Sequence, residues 1–474
     1  MPLVKLITPK IINVLGGRRS AFSLFLTAFC IPVFAQDNSP YSRYGLGDLV
    51  PNTNVNSRAM GGVSAGYIDY FSINYSNPAA LANFQARRQV SSKKLESGRA
   101  IFDAGLQIDS RTLREPNSVE RFNASNMLFS HVMVGMPLRP NWGLSFGLRP
   151  VSRISYKISR FARLTDPNTG LPIDSSHTLN EGDGGTYLVS AGTGYKIRFS
   201  DRHFLSLGVS GGYMFGKKDY SNRLSILNDS LQYNAGNFQT KTTFGNIHVD
   251  LGLQYTAVLK RTAKEEIALT LGAFGNTEQK LNARQDIIRE TYVYDASTGY
   301  VRLDSVSEQL EVKGKIIYPQ NITAGFVLEK NSTDRSKPSW LIGVDVVQQK
   351  WGDYRFYGEK DPTLRNKKEI RVGGQIRPVF KNNYFSNVTY RAGFFVGTDY
   401  IQVDKKLPLF GVTAGFDLPV RKFSRQAMYQ ETKVNISLEY IRRGNNDNLL
   451  KENMFRISAG FALSDLWYIK RKFD

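Results

Sequence analysis

Residues 247–259 read Ile247-His248-Val249-Asp250-Leu251-Gly252-Leu253-Gln254-Tyr255-Thr256-Ala257-Val258-Leu259. Every odd position is apolar, whereas the even ones from Asn246 to Thr256 are polar or glycine. Alternation of this kind puts two chemistries on opposite faces of an extended strand. It is sustained for 13 residues. Globular strands average about five or six residues, while strands that cross an outer membrane need about nine to eleven.

The same signature recurs along the chain. Ala100, Phe102, Ala104, Leu106 and Ile108 alternate with smaller or polar neighbours, as do Trp142, Leu144, Phe146 and Leu148, and Phe455, Ile457, Ala459, Phe461 and Leu463. On this criterion strands fall near residues 98–110, 126–137, 141–156, 185–198, 202–216, 240–259, 265–276, 314–330, 338–350, 368–379, 386–400, 407–419, 431–442 and 453–464. An all-β, about fourteen-stranded antiparallel transmembrane β-barrel follows, an even number within the range of bacterial outer-membrane barrels. The connections agree, since such barrels have short periplasmic turns and longer outer loops. Leu138-Arg139-Pro140, Phe199-Ser200-Asp201 and residues 260–264 are tight, whereas 157–184, 217–239 and 277–313 are long; the short outer connection 401–406 and the longer inner one 420–430 are exceptions. Within the last, alternating pieces flank Asp295-Ala296-Ser297-Thr298-Gly299, which predicts a projecting hairpin. The competing fold, a secreted β-sandwich, would show shorter strands and would not explain outer positions so often filled by Tyr, Trp, Phe and Leu.

The N-terminus reads as a targeting segment. Lys5, Lys10, Arg18 and Arg19 precede an apolar run from Ala21 to Phe34, with Val33 and Ala35 fitting a signal-peptidase site before Gln36. The run is shorter than the roughly 20 residues that a bilayer-spanning helix needs. Removal of residues 1–35 takes away Cys30, the single cysteine of the 474-residue chain, so the mature protein has neither disulfides nor thiolate metal ligands. It also lowers the formal charge from +21, by the four cations just named, to +17. A pI near 9.8 suggests nucleic-acid binding. The cations, however, are scattered over turns such as Lys260-Arg261 and Arg442-Arg443. The expected polyanions are therefore lipopolysaccharide and anionic lipid rather than nucleic acid.

Residues 36–97 lack alternation and are rich in Gly, Asn, Ser and Pro. They contain Arg58-Ala59-Met60-Gly61-Gly62-Val63 and Asn74-Tyr75-Ser76-Asn77-Pro78-Ala79-Ala80-Leu81. Asn77-Pro78 favours a defined turn, and Tyr75, Leu81 and Phe84 are apolar anchors, which argues against a loose tail. This Asn-Pro-Ala segment ahead of a fourteen-stranded barrel resembles the FadL-type outer-membrane transporters of hydrophobic compounds, in a Bacteroidota-like member. Asn141-Trp142-Gly143-Leu144-Ser145-Phe146-Gly147 is similar to the family's early hairpin, and Asp345-Val346-Val347-Gln348-Gln349-Lys350-Trp351-Gly352-Asp353-Tyr354 to its late strand. Ala80 departs from the glycine common in the family. With the signal peptide at 1–35, the resemblance implies a hatch at 36–97 inside a barrel at 98–474, and passage of a hydrophobic small molecule such as a long-chain fatty acid or hydrocarbon. Gly61, Gly62, Asn77, Pro78 and Ala79 would form the hatch. Leu224, Ile226, Leu231 and Tyr233 are candidate groove positions in an outer capture region. A PorV-like component of a type 9 secretion system is the alternative within the same barrel family.

Enzymatic motifs are absent. His131, His177, His203 and His248 fall in separate elements without a second ligand at metal spacing, and there is no Gly-x-Ser-x-Gly elbow, P-loop or His-Glu-x-x-His. No catalytic residue, metal or cofactor is expected. Beyond a hydrophobic ligand, the expected partners are the outer membrane with its lipopolysaccharide and, during biogenesis, the barrel assembly machinery.

Overall fold

The computed structural model describes residues 39–88, 95–116, 118–166, 168–227, 234–295, 297–420 and 430–469. The expected signal peptide, Leu231, Tyr233 and most of the connection 420–430 lie outside them. Sixteen long strands follow one another: β1 (Leu95–Arg114), β2 (Phe122–Arg139), β3 (Trp142–Thr165), β4 (Pro172–Arg198), β5 (His203–Leu227), β6 (Ala235–Arg261), β7 (Glu265–Asn276), β8 (Gln279–Asp295), β9 (Gly299–Tyr318), β10 (Asn321–Ser332), β11 (Ser339–Gln349), β12 (Lys367–Arg377), β13 (Thr389–Thr398), β14 (Pro408–Pro419), β15 (Glu431–Arg443) and β16 (Lys451–Ile469).

Fourteen of these form the wall. Neighbours in sequence pair antiparallel from β1 to β7, β7 pairs with β10, and pairing continues to β16. The ring closes where β16 meets β1, with Ile457 opposite Ile108. A closed ladder pairs backbone groups that lipid could not. The apolar side of each alternating stretch faces outward: Ile247, Leu251 and Leu259 of β6 are 67%, 57% and 56% exposed, while His248 and Gln254 are buried. From Ile247 to Leu259 the belt runs roughly 40 Å along the strand at about 3.3 Å per residue, or about 30 Å in height at a tilt near 40°. That matches the apolar band of an outer-membrane barrel, about 25 Å tall. The barrel is a bacterial outer-membrane protein.

The two remaining strands form the hairpin expected within residues 277–313. β8 and β9 pair with each other, and β8 pairs with the upper half of β6, while the lower half of β6 pairs with β7. The hairpin therefore stands above the membrane. At its tip, Asp295 accepts from the hydroxyls of Ser297 (2.5 Å) and Thr298 (3.0 Å) and from their backbone amides. These bonds, the Ser297 hydroxyl first, hold the carboxyl below its usual range.

Three expectations need correction. Residues 157–184 and 217–239 are not long loops: β3 and β4 continue to a turn near 166–171, and β5 and β6 run as paired strands far above the belt. With water on both faces, hydropathy stops alternating although the ladder continues. The expected strand 314–330 is two strands, broken at Pro319-Gln320. Ile316 is fully buried, whereas Ile322 and Phe326 are 46% and 41% exposed, so the same parity changes face across the break. The last strand, expected at 453–464, extends to Ile469.

The belt is directly testable. Leu253→Arg, outward near mid-membrane, should destabilise the folded barrel by about 2–4 kcal/mol in urea titrations, whereas Thr243→Arg, outward above the belt, should cost about 0–1 kcal/mol. Equal costs would misplace the membrane boundary.

Candidate functional site

Residues 39–84 carry three short helical turns, Pro40–Arg43, Val55–Arg58 and Pro78–Asn83, and a two-residue strand, Asp48–Leu49, joined by irregular backbone. Asn54 caps Val55–Arg58 by accepting from Ser57 N at 2.9 Å. Asn77 caps the 3-10 turn Pro78–Asn83 by accepting from Ala79 N at 3.1 Å, with Pro78 in the first position, where its missing N–H costs nothing. The Asn77 side chain also donates to Ala65 O (2.8 Å) and to Leu253 O on β6 (3.3 Å).

Glycines on the wall decide how closely this segment approaches. Gly143, Gly194, Gly208 and Gly252 are in register across β3, β4, β5 and β6. A Cβ on Gly208 would stand 2.2 Å from Ala79 N, one on Gly194 2.6 Å from Pro78 O, and one on Gly143 2.0 Å from Leu81 O. The turn Pro78–Asn83 thus rests on a strip of bare backbone. A second row, Gly343, Gly373 and Gly393, crosses β11, β12 and β13. Gly373 and Gly393 would place a Cβ 2.1 and 2.4 Å from backbone atoms of Met60 and Gly61. Gly61 and Gly62 have φ of +67° and +90°, the left-handed region that favours glycine. Gly61 N donates to Thr413 Oγ1 at 2.9 Å, and Arg371 donates to Gly62 O at 3.2 Å. Asp345 of β11 accepts from Ser64 N (2.7 Å) and Ala65 N (2.9 Å).

The five candidate hatch residues therefore belong to two separate contact zones: Asn77, Pro78 and Ala79 against β4–β6, Gly61 and Gly62 against β12–β14. Leu224 and Ile226 sit on β5 opposite Thr178 and Ser176 of β4, in a strand rather than a capture loop. Neither Asp345 nor the glycine rows stood out as contact residues in the sequence. Their signal was glycine at inward positions, Gly252 of the quoted stretch among them, but only the register aligns them.

Between the segment and β1, β15 and β16 lies a buried ionic network. Arg58 donates to Ser458 Oγ (3.1 Å) and lies 3.8 Å from Glu439, both side chains under 5% exposed. Arg456 contacts Glu439 (3.7 Å) and Asp109 (2.7 Å). Arg111 pairs with Asp48, Asp109 and Glu452, and Arg443 with Asp48, Asp399 and Glu452. These groups line a cavity of about 160 Å³, together with Arg149, His248 and Glu369. Of the four histidines, His131 contacts Asp103 at 3.0 Å and His248 contacts Asp250 at 3.1 Å. No cluster of three metal-ligating side chains occurs among the described residues.

The wall also carries a seam. β2 and β3 pair only from Arg139↔Trp142 up to Val132↔Leu148. Above that, β3 turns to the N-terminal segment: Ser152 and Arg153 pair with Leu49 and Asp48, and Val50 N donates to Val151 O at 3.0 Å. Arg153 reaches across to Asn126 of β2.

A closed fourteen-stranded wall with an apolar belt defines an outer-membrane β-barrel. A family model described as BamG matches residues 18–474. The chain belongs to the BamG family. No curated protein matches its sequence. Among solved structures it is similar to the toluene transporter TodX of P. putida (15% identity, 88% of this chain and 99% of that one, TM-score 0.47), the monoaromatic hydrocarbon channel CymD (14%, 90% and 99%, 0.44) and a Pseudomonas aeruginosa FadL homologue (14%, 90% and 100%, 0.45).

Two variants test the site. Gly208→Val should push Pro78–Asn83 off the wall and raise amide exchange across residues 76–84 without unfolding the barrel; unchanged protection there would mean that the glycine strip is incidental. Glu439→Gln should leave Arg58 and Arg456 buried with less countercharge, destabilising the barrel by about 3–5 kcal/mol in the same urea titration.

Proposed function

We propose that the chain is a non-conducting outer-membrane subunit of the barrel assembly machinery, with residues 39–84 acting as a permanent hatch. The observation that carries this reading is the buried ionic network around Arg58. Pockets for drug-sized apolar ligands measure about 300–1,000 Å³ and are mostly hydrophobic, whereas the cavity beside Arg58 is about 160 Å³ and its lining mixes arginines and carboxylates with apolar side chains such as Val151, Trp351 and Leu409. Opening it to a hydrocarbon would strand buried charges. The family's name, which it shares with the Bam assembly components, supports the same role. So does the outer edge of β9: among the described residues, 300–309 pair with β8 only, and Val306 and Leu310, unpaired at its bulges, are 70% and 60% exposed, an open edge suited to a protein partner.

A second reading has its own observation. The seam above Val132↔Leu148 is where a hydrophobic molecule, a long-chain fatty acid or hydrocarbon, would leave sideways into lipid, as the FadL-type resemblance implies. The type 9 secretion alternative has no separate observation in its favour.

Depletion separates the two. Under the assembly reading, the tagged chain co-isolates with barrel-assembly components, and its loss lowers the outer-membrane content of unrelated β-barrels. Unchanged barrel content with slowed uptake of fatty acids or hydrocarbons would overturn that reading in favour of transport.

A further inference from the structure

On the outside of the wall, directly above the apolar belt, four cations share one face. Leu281, Ala283 and Ile316 are buried, so their neighbours Lys280, Arg284, Lys313 and Lys315 point outward, and all four are exposed. Asn282 lies opposite Gly245 on one side and Lys315 on the other, and Arg284 lies between Thr243 and Lys313. The four cations thus fall in three successive rows on β8 and β9, beside β6. Arg284 contacts Glu311 at 3.4 Å; Lys280, Lys313 and Lys315 have no ion pair among the described residues.

The surface here is concave. Gly245 contributes no side chain, and the Tyr213 hydroxyl lies 2.8 Å from where its Cβ would stand. Tyr213, Arg284, Lys313 and Lys315 line an open groove of about 720 Å³. Its lower rim is the belt itself: Tyr213 is 53% and Ile247 67% exposed, with Val249 and Leu251 continuing below. A ligand for this groove needs an anionic head at the level of the cations and apolar chains running down the wall. Flexible lysine ammonium groups suit phosphate oxygens, and their stems can lie along the apolar rim.

We propose that this groove binds the phosphorylated headgroup of an outer-leaflet glycolipid, the lipid A moiety of lipopolysaccharide, with its acyl chains against Tyr213, Ile247 and Val249. The site rests on the barrel's place in the outer membrane and not on the assembly role, so it stands or falls separately. One such lipid would fix the footing of the β8–β9 hairpin at the membrane surface.

The test uses the full-length purified barrel in detergent, with native mass spectrometry of added diphosphoryl lipid A, dephosphorylated lipid A and inorganic phosphate. Wild-type protein should retain diphosphoryl lipid A and lose most binding when the phosphates are removed. The triple variant K280Q/K313Q/K315Q should bind diphosphoryl lipid A on the order of a hundredfold more weakly, at about fivefold per cation near an anionic surface. K280R/K313R/K315R should bind as wild type, and K260Q, at the periplasmic end, should have no effect. Heat-modifiable migration in gels verifies that each variant is folded. Binding by the glutamine variant at wild-type strength would overturn the proposal, as would full displacement of lipid A by millimolar phosphate, which would make the groove a free-phosphate site.

Discussion

A strand wall in lipid can leave no backbone hydrogen bond open, and every other feature of this barrel follows from closing that ladder. Fourteen strands leave a lumen that side chains of the wall alone do not fill. In the proposed hatch role, residues 39–84 fill it, and their backbone must then find partners on a surface that already spends its amides on neighbouring strands. The solution is contact without pairing. Rows of glycine let Pro78, Ala79, Met60 and Gly61 lie directly on strand backbone, and a few side chains, Asn77, Thr413 and Asp345, supply the hydrogen bonds that the ladder cannot.

Electrostatics makes the fit specific. A buried ion pair contributes little net stability, but breaking one partner away is costly. Arg58 of the segment, Arg111, Arg443 and Arg456 of the wall and the carboxylates among them therefore favour one seating of the segment. Burial divides the cations in a way that composition could not: arginines such as Arg111 and Arg456 are paired inside the lumen, out of reach of a polyanion, while Lys280, Lys313 and Lys315 are exposed where wall meets outer leaflet.

The membrane-crossing part of the fold was legible because lipid outside and polar surroundings inside impose a period of two. Ile247–Leu259 carried that signal, and the number of wall strands followed. Above the membrane the physics changes. Both faces of β3–β6 are wet, so the sequence of 157–184 and 217–239 resembles loop although its backbone is paired. At Pro319-Gln320 the strand breaks and the faces exchange, a change invisible to periodicity because the even positions stay apolar on both sides. The turn at Asn77-Pro78 was legible. Its seat was not, since it depends on which glycines four strands bring into register.

A permanently filled lumen is the central claim, and it sets this barrel apart from an open pore of the same size. Single-channel recording of the purified protein in planar bilayers tests it most directly. The account predicts no steady ion conductance in the wild type, with discrete openings appearing only when the seat is disrupted. A stable porin-like current through the unmodified protein would contradict it.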